Sequence, residues 1–183
     1  MKKLFICFTA SLALLSSLAM AKTEGNSVGI NLVETKSELS GFNAFFEGSD
    51  IGVGLEVKHA ISLQNVASGL YVAPAAFFDL NNARVTVAGT GFNTTADTNN
   101  SFGLGFDLGY DINNQVAVFV NTSWVQARTS SFQENFNDEG ISYGFGLKYN
   151  VNDQVAAVVS YNTVELNDFY DIDTIKLGAA FIF

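Results

Sequence analysis

The amino-acid sequence predicts an all-β fold, an eight-stranded antiparallel transmembrane up-and-down β-barrel. Three observations predict it. Apolar residues alternate with small or polar ones in about eight segments, as they do in strands with one apolar face. The N-terminal region aside, no long segment shows helical periodicity, and Pro74 is the only proline. Finally, the chain ends in "TIKLGAAFIF", where large apolar residues at every second position share one face of a strand.

The N-terminal segment, "MKKLFICFTASLALLSSLAMA", has the features of a secretory signal peptide. Two lysines precede an apolar run over residues 4–18, and Ala19-Met20-Ala21 forms a cleavage site. A membrane anchor is the alternative, but the run is shorter than the ~20 residues that a spanning helix needs. The predicted organisation is a cleaved signal at 1–21 followed by an outer-membrane β-barrel domain at 22–183.

The composition of the mature chain excludes several function classes. Removing 21 of 183 residues leaves 162, enough for one domain. The single cysteine, Cys7, leaves with the signal, so no disulfide or thiolate metal site is expected. Two of the nine Lys and Arg residues also leave, and the seven that remain against 18 acids give a net charge of −11. So acidic a chain is a poor partner for nucleic acid.

The predicted strands differ in clarity. The clearest alternation covers 102–112, 116–124, 141–151, 155–161 and the C-terminal segment, and weaker alternation covers 27–33, 50–61 and 69–79. An internal repeat supports this count, because "GYDINNQVAVFV" from Gly109 matches "KYNVNDQVAAVV" from Lys148. Each copy is a strand, a tight Asn/Asp turn and a second strand.

Short turns and long connections alternate along the chain. Tight turns are expected at 113–114, 152–153 and near 64–65, whereas longer polar connections are expected at about 37–49, 80–100, 128–140 and 165–172. This alternation is typical of an outer-membrane barrel with periplasmic turns and extracellular loops.

Alternation alone leaves open whether the apolar face meets a core or lipid, and a soluble sandwich or lipocalin-like barrel is the alternative. The apolar faces carry more bulk than the inside of an eight-stranded barrel can hold. The opposite face is rich in glycine, which packs poorly on an exposed sheet. Aromatic residues are also expected in two girdles at the membrane interfaces. Their members are Phe78, Phe102, Trp124, Tyr143 and Tyr161 at the outer rim, and Tyr110, Tyr149 and Phe183 at the inner one. The apolar face is therefore predicted to meet lipid.

With these features the whole mature chain resembles the small eight-stranded outer-membrane β-barrel proteins of Gram-negative bacteria, the OmpA-barrel/OmpX-like porin-family group. The signal, the strand pair "FDLGYDINNQVAV" and the C-terminal strand ending in Phe183 carry the resemblance. It implies location in the cell outer membrane, with lipid and lipopolysaccharide as surroundings. It also implies that the outer-membrane assembly machinery reads the aromatic terminus, Phe181 and Phe183, as an assembly signal.

The inward face carries charges of both signs. Five charged residues fall at strand positions that face the barrel interior, namely Glu56, Lys58, Asp107, Lys148 and Lys176. Because buried charges persist only when they are paired, we expect a network that plugs the barrel, with Lys148 and Lys176 neutralising Glu56 and Asp107. The alternative is a thin water-filled gap that leaks ions.

Enzymatic chemistry has little support in the sequence. Lipid-modifying barrels need a histidine near the outer leaflet, but the only histidine, His59, lies late on a strand that descends to the periplasm. No carboxylates stand at metal-ligand spacing. We therefore expect no catalytic residue, metal or cofactor.

The connections carry acids and one aromatic cluster, "FNAFFEG" (42–48). They are either solvated connectors or a binding surface. The sequence thus predicts a monomeric barrel with a structural or surface-interaction role, including adhesion or host contact through acidic extracellular loops. A narrow porin-like channel for ions or small solutes is the alternative, and a lipid A-modifying enzyme is third.

Overall fold

The computed structural model describes residues 25–39, 46–89, 92–131, 134–167 and 170–183, and all eight of its regular elements are strands. The predicted signal at 1–21 lies outside this range, as do residues 42–45 of the aromatic cluster. No helix in the described part is long and apolar enough to cross a membrane. The strands are β1 (Gly25–Leu39), β2 (Phe46–Ser62), β3 (Leu70–Gly89), β4 (Phe92–Asp111), β5 (Val116–Ser131), β6 (Glu134–Asn150), β7 (Val155–Asn167) and β8 (Tyr170–Ile182).

The strands close into one barrel, which confirms the predicted fold. Each strand pairs antiparallel with the next, and β8 returns to β1 in a register that starts at Ser27↔Ile182. Backbone hydrogen bonds between Asn26 and Phe183 complete this seam, with N···O distances of 3.1 and 2.9 Å. Closure pairs the two terminal strands and so removes the unpaired edges that an open sheet would expose.

The repeated Asn/Asp turns form in the same way at both places. The side-chain oxygens of Asn113 and Asn152 each accept backbone N–H groups from the residues two and three positions later, at 2.8–2.9 Å. Such side-chain-to-backbone bonds make asparagine favourable in tight turns. The short turns lie at one end of the barrel, which is the periplasmic end in proteins of this type.

Burial is inverted relative to a water-soluble protein. Outward-facing apolar side chains are highly exposed, with Ile51 at 70 % and Phe145 at 62 %. The barrel interior instead holds many polar side chains, namely Asn31, Thr35, Asp79, Ser101, Asp107, Ser142, Asn150, Ser160, Asn162, Thr174 and Lys176. An apolar exterior around a polar interior matches a lipid-facing barrel.

The strands run through much of what the sequence suggested as long connections. β3 and β4 are 20 residues each and leave only residues 90–91 between them, so most of 80–100 is strand. Likewise β5 and β6 take up most of 128–140. A membrane crossing needs only about 9–11 residues, so these strands extend well beyond the bilayer. In the sequence of 80–100, apolar residues alternate only over 83–87, too short a stretch to reveal two 20-residue strands.

Above the membrane the barrel wall divides into two wings. Pairing of β2 with β3 ends at Val53↔Leu80. Pairing of β6 with β7 ends at Ile141↔Glu165. The first wing is therefore the extended part of β3–β4–β5–β6, and its β3–β4 pairing continues to Gly89. The second wing is formed by β7, β8, β1 and β2.

Candidate functional site: the charged lumen

Three of the predicted inward charges meet in the middle of the lumen. Lys58 Nζ lies 2.6 Å from Asp107 Oδ2 and 3.2 Å from Glu56 Oε1. Glu56 and Lys58 come from β2 and Asp107 from β4, and all three side chains are largely buried. We call these three residues the central cluster. One ammonium group between two carboxylates satisfies the requirement that a buried charge be paired.

A second ion pair uses a residue that the sequence did not single out. Lys176 Nζ lies 2.7 Å from Asp79 Oδ2, and the Asp79 side chain is only 3 % exposed. Asp79 Oδ1 has no hydrogen-bond partner among the described residues. The alternation along β3 could have revealed Asp79, because Asp79 follows Ala75 and Phe77 at the inward-facing positions of this strand.

The pairing therefore differs from the expected one. Lys58, rather than Lys148 or Lys176, neutralises both Glu56 and Asp107. Lys148 lies lower in the lumen, where Asp111 attracts it electrostatically. The expected pairing was wrong because the alternation along a strand shows which face a side chain occupies. It does not show how far along the barrel axis that side chain lies.

Each buried lysine of an ion pair also lies against an aromatic ring. The Lys176 ammonium is 3.8 Å from the centroid of Phe77, and the Lys58 ammonium is 4.9 Å from that of Phe119. The ring face carries partial negative charge, so it adds a cation–π attraction to the ion pair. Both lysines are thus held between a carboxylate and a ring.

The glycines of the inward face make room for these rings. A Cβ on Gly103 would lie 2.3 Å from the Phe77 ring, and one on Gly146 would lie 2.3 Å from the Phe119 ring. The sequence suggested a crowded lumen unsuited to many aromatics, and the structure shows that a few fit where glycine faces them. The sequence analysis did not identify Phe77 and Phe119 as lumen residues. Both lie in stretches that are apolar at inward and outward positions alike, so the alternation does not show which way they face.

The central cluster lies between two small cavities. An upper cavity of about 50 Å³ and a lower one of about 40 Å³ are both lined by Glu56, Lys58 and Asp107. Each has room for a few water molecules, since one water needs roughly 10–15 Å³ of such space. The wall near the outer end of the lumen is apolar, formed by Phe77, Val125, Ala127, Val164, Leu166 and Ile172. The arrangement can hold water on both sides of a charged partition.

The predicted girdle residues lie on the outer wall. Phe102 and Trp124 meet edge to face with ring centroids 6.4 Å apart, and Phe145 and Tyr161 lie 5.8 Å apart. The remaining predicted members, Phe78, Tyr110, Tyr143 and Tyr149, also point outward from their strands. At the C-terminal seam, the rings of Phe181 and Phe183 stack at 6.2 Å.

No group of three or more potential metal ligands occurs among the described residues. His59 lies on the outer wall, where its Nδ1 is 2.9 Å from Asn26 Oδ1. This position near the periplasmic end agrees with the strand direction inferred from the sequence.

A closed eight-stranded barrel with an apolar exterior and an ion-paired interior defines the class of small outer-membrane β-barrels. Residues 7–183 match the family described as "Outer membrane protein beta-barrel domain". The chain belongs to this family and is a protein of the outer membrane. No curated protein sequence shows significant similarity to it.

Solved structures share the fold at low sequence identity. Ail, the attachment invasion locus protein of Yersinia pestis, in complex with the heparin analogue sucrose octasulfate, superposes with a TM-score of 0.63 at 17% identity, covering 87% of this chain and 99% of that one. Neisserial surface protein A gives 0.58 at 14%, covering 87% and 98%. OprG from Pseudomonas aeruginosa gives 0.55 at 13%, covering 91% and 99%.

Proposed function

We propose that this protein is a monomeric, non-enzymatic surface-interaction barrel whose lumen is closed by charged side chains and whose extracellular wings contact another surface, as in adhesion or host contact. The observation that carries the proposal is the length of the strands. β3 and β4 have 20 residues each, about twice the ~9–11 that a crossing requires. A protein that served only to span the membrane would have no use for such extensions.

The lumen supports the closed form of the barrel. The central cluster and the Lys176–Asp79 pair hold five buried charges in direct contact. An ion crossing the lumen would have to separate these charges, and separating a buried pair leaves an uncompensated charge at high cost. The alternative, a narrow channel for ions or small solutes, draws its support from the small cavities on either side of the cluster. A lipid A-modifying activity ranks third.

The charge of the chain limits the partner. The Ail structure contains a heparin analogue, which is a polyanion. The present chain has a net charge of −9, and −11 once the two signal lysines are removed from nine Lys and Arg against 18 acids. Like charges repel, so a neutral or basic partner surface fits this protein better than a sulfated one.

Export and assembly complete the proposal. The signal at 1–21 would be cleaved, and Phe181 and Phe183 would serve as the assembly signal at the C-terminal seam. Outer-membrane lipid and lipopolysaccharide would surround the apolar wall between the two girdles.

Two measurements test this function. Purified, refolded protein should give no regular conductance steps in planar bilayers. Cells that display the protein should bind to a cultured epithelial layer, and a variant lacking residues 84–97 of the first wing should lose this binding. Asn114→Gly, in a periplasmic turn, is the matched control and should bind as wild type does. Steady conductance by the wild type, together with binding that survives the deletion, would place the channel function first.

A further inference from the structure

A groove runs along the outer wall near the periplasmic ends of β1, β2 and β3. It is an open, shallow groove of about 570 Å³, lined by Asn26, Val57, His59, Pro74, Ala76 and Phe183, among others. The lipid-facing wall carries large side chains such as Phe145, and on β4 the direct partner of Pro74 is Phe106. Here the outward positions of β3 are a proline and an alanine, so the wall is recessed.

Pro74 gives this recess a structural cause. Proline has no N–H group and is disfavoured inside a sheet. Lys58 pairs with Ala75, and Ile61 pairs with Val72. Between these two residue pairs, where Pro74 lies, β2 and β3 are not paired. The small outward residue and the interrupted ladder coincide at the groove.

The groove is polar at one end and apolar at the other. Asn26 and His59 form its polar end, with His59 Nδ1 2.9 Å from Asn26 Oδ1. Val57 and Ala76 pair directly and lie two residues further from the periplasm along β2 and β3. This order matches a phospholipid of the periplasmic leaflet, whose headgroup faces the periplasm and whose acyl chains point to the bilayer centre.

The polar pair also indicates the headgroup. In the tautomer of His59 that carries its hydrogen on Nδ1, this atom donates to Asn26 Oδ1. In the neutral imidazole, Nε2 is then an acceptor, which suits an ammonium group, while the amide NH₂ of Asn26 can donate to a phosphate oxygen. The strong net negative charge of the chain further disfavours an anionic lipid.

We propose that this groove is a binding site for one phospholipid with an ammonium headgroup, phosphatidylethanolamine, in the periplasmic leaflet. Its acyl chain packs over Pro74 and Ala76, and its headgroup contacts His59 and Asn26. The lipid fills the recess that Pro74 creates and covers the interrupted stretch of the β2–β3 ladder.

Native mass spectrometry of the refolded barrel tests this site, with phosphatidylethanolamine and phosphatidylglycerol added in equal amounts to the micelles. Wild type should retain one phosphatidylethanolamine. Ala76→Phe fills the groove and should abolish retention, whereas Ala157→Phe, the same change on the outer face of β7, should not. His59→Leu should reduce the preference for phosphatidylethanolamine by about tenfold, the loss expected for one hydrogen bond to a charged group.

Heat-modifiable migration on gels shows which variants are folded, and Ala76→Leu replaces Ala76→Phe if the larger side chain prevents folding. Absence of bound lipid in wild type, equal retention of the two lipids, or unchanged retention in the groove-filling variant would overturn the site. Equal loss in Ala157→Phe would also overturn it, because the binding would then depend on the whole outer wall.

Discussion

Each lysine of the two ion pairs in the lumen is held by a carboxylate and by a ring, and each ring depends on a glycine. Phe77 is the clearest case, because it lies between Gly103 and the Lys176 ammonium. Only a residue without Cβ leaves room for the ring in this position. The glycine-rich inward face is therefore the complement of the aromatic side chains that the lumen contains.

Gly103→Ala should destabilise the barrel. The added Cβ would lie 2.3 Å from the Phe77 ring and would push the ring off Lys176. Overpacking of this kind typically costs about 1–3 kcal/mol. Gly29→Ala is the control, since its Cβ would lie 3.6 Å from the nearest atom. Urea unfolding in micelles should show a lower midpoint for Gly103→Ala alone, and equal midpoints would contradict the packing argument.

Lys58→Met should be far more harmful than Glu56→Gln. Removing Lys58 leaves Glu56 and Asp107 without their shared cation, and breaking a buried pair typically costs about 3–5 kcal/mol. Removing the charge of Glu56 leaves the closer contact, Lys58 to Asp107, intact. Thermal unfolding in micelles measures the difference, with exposed Arg128→Met as the control. Similar losses for Lys58→Met and Arg128→Met would show that the cluster adds nothing to stability.

At the residue level, parity predicted which side of the wall a side chain occupies but not its partner. Glu56, Lys58 and Asp107 were placed in the lumen from alternation alone, and the structure brings them together. Asp79 and Phe77 were missed because the inward positions of β3 include Tyr71, Ala73 and Ala75, which blur the alternation. Partner choice depends on strand tilt and register, which no local pattern encodes.

At the scale of elements, the strands were predictable only where lipid imposes a pattern. Within the membrane, lipid on one side and a polar lumen on the other force period-two alternation. Beyond Leu80, β3 leaves β2, and the first wing extends past the part of the barrel that lipid surrounds. The segment 80–100 therefore looked like a loop, although β3 and β4 pair along nearly all of it.

The tip of the first wing should be removable without loss of the barrel. Ala83 and Thr98 are direct partners, so an Asn-Gly turn can join them after deletion of 84–97. The deleted residues pair with each other and with the last two residues of β5. The variant should keep heat-modifiable migration and its thermal midpoint. Failure to fold would mean that the wing helps the barrel to form.

At the scale of the whole molecule, the barrel depends on one seam between its first and last strands. β8 pairs with β1 along thirteen positions, from Ser27↔Ile182 to Leu39↔Tyr170. Asn26 and Phe183 add a final pair of backbone hydrogen bonds. Phe183 thus has two separable features: a backbone that completes the seam and a side chain that is 65 % exposed on the outer wall.

Phe183→Ala should separate assembly from stability. The substitution keeps the backbone bonds to Asn26 and removes only a lipid-facing ring, a loss on the order of 2 kcal/mol. Refolding into detergent should therefore survive. If the assembly machinery reads this side chain, the amount of barrel inserted in cells should nevertheless fall sharply.

Phe145→Ala is the matched control for this experiment. Phe145 is 62 % exposed on the same lipid-facing surface, and its ring lies 5.8 Å from Tyr161, much as Phe183 lies 6.2 Å from Phe181. The two substitutions should therefore cost similar stability in detergent, because each removes a phenylalanine ring that is exposed on the outer wall and has one aromatic neighbour. In cells only Phe183→Ala should lower the yield of SDS-resistant barrel in the outer membrane. Equal yields for the two variants would mean that Phe183 acts through packing alone and carries no assembly signal.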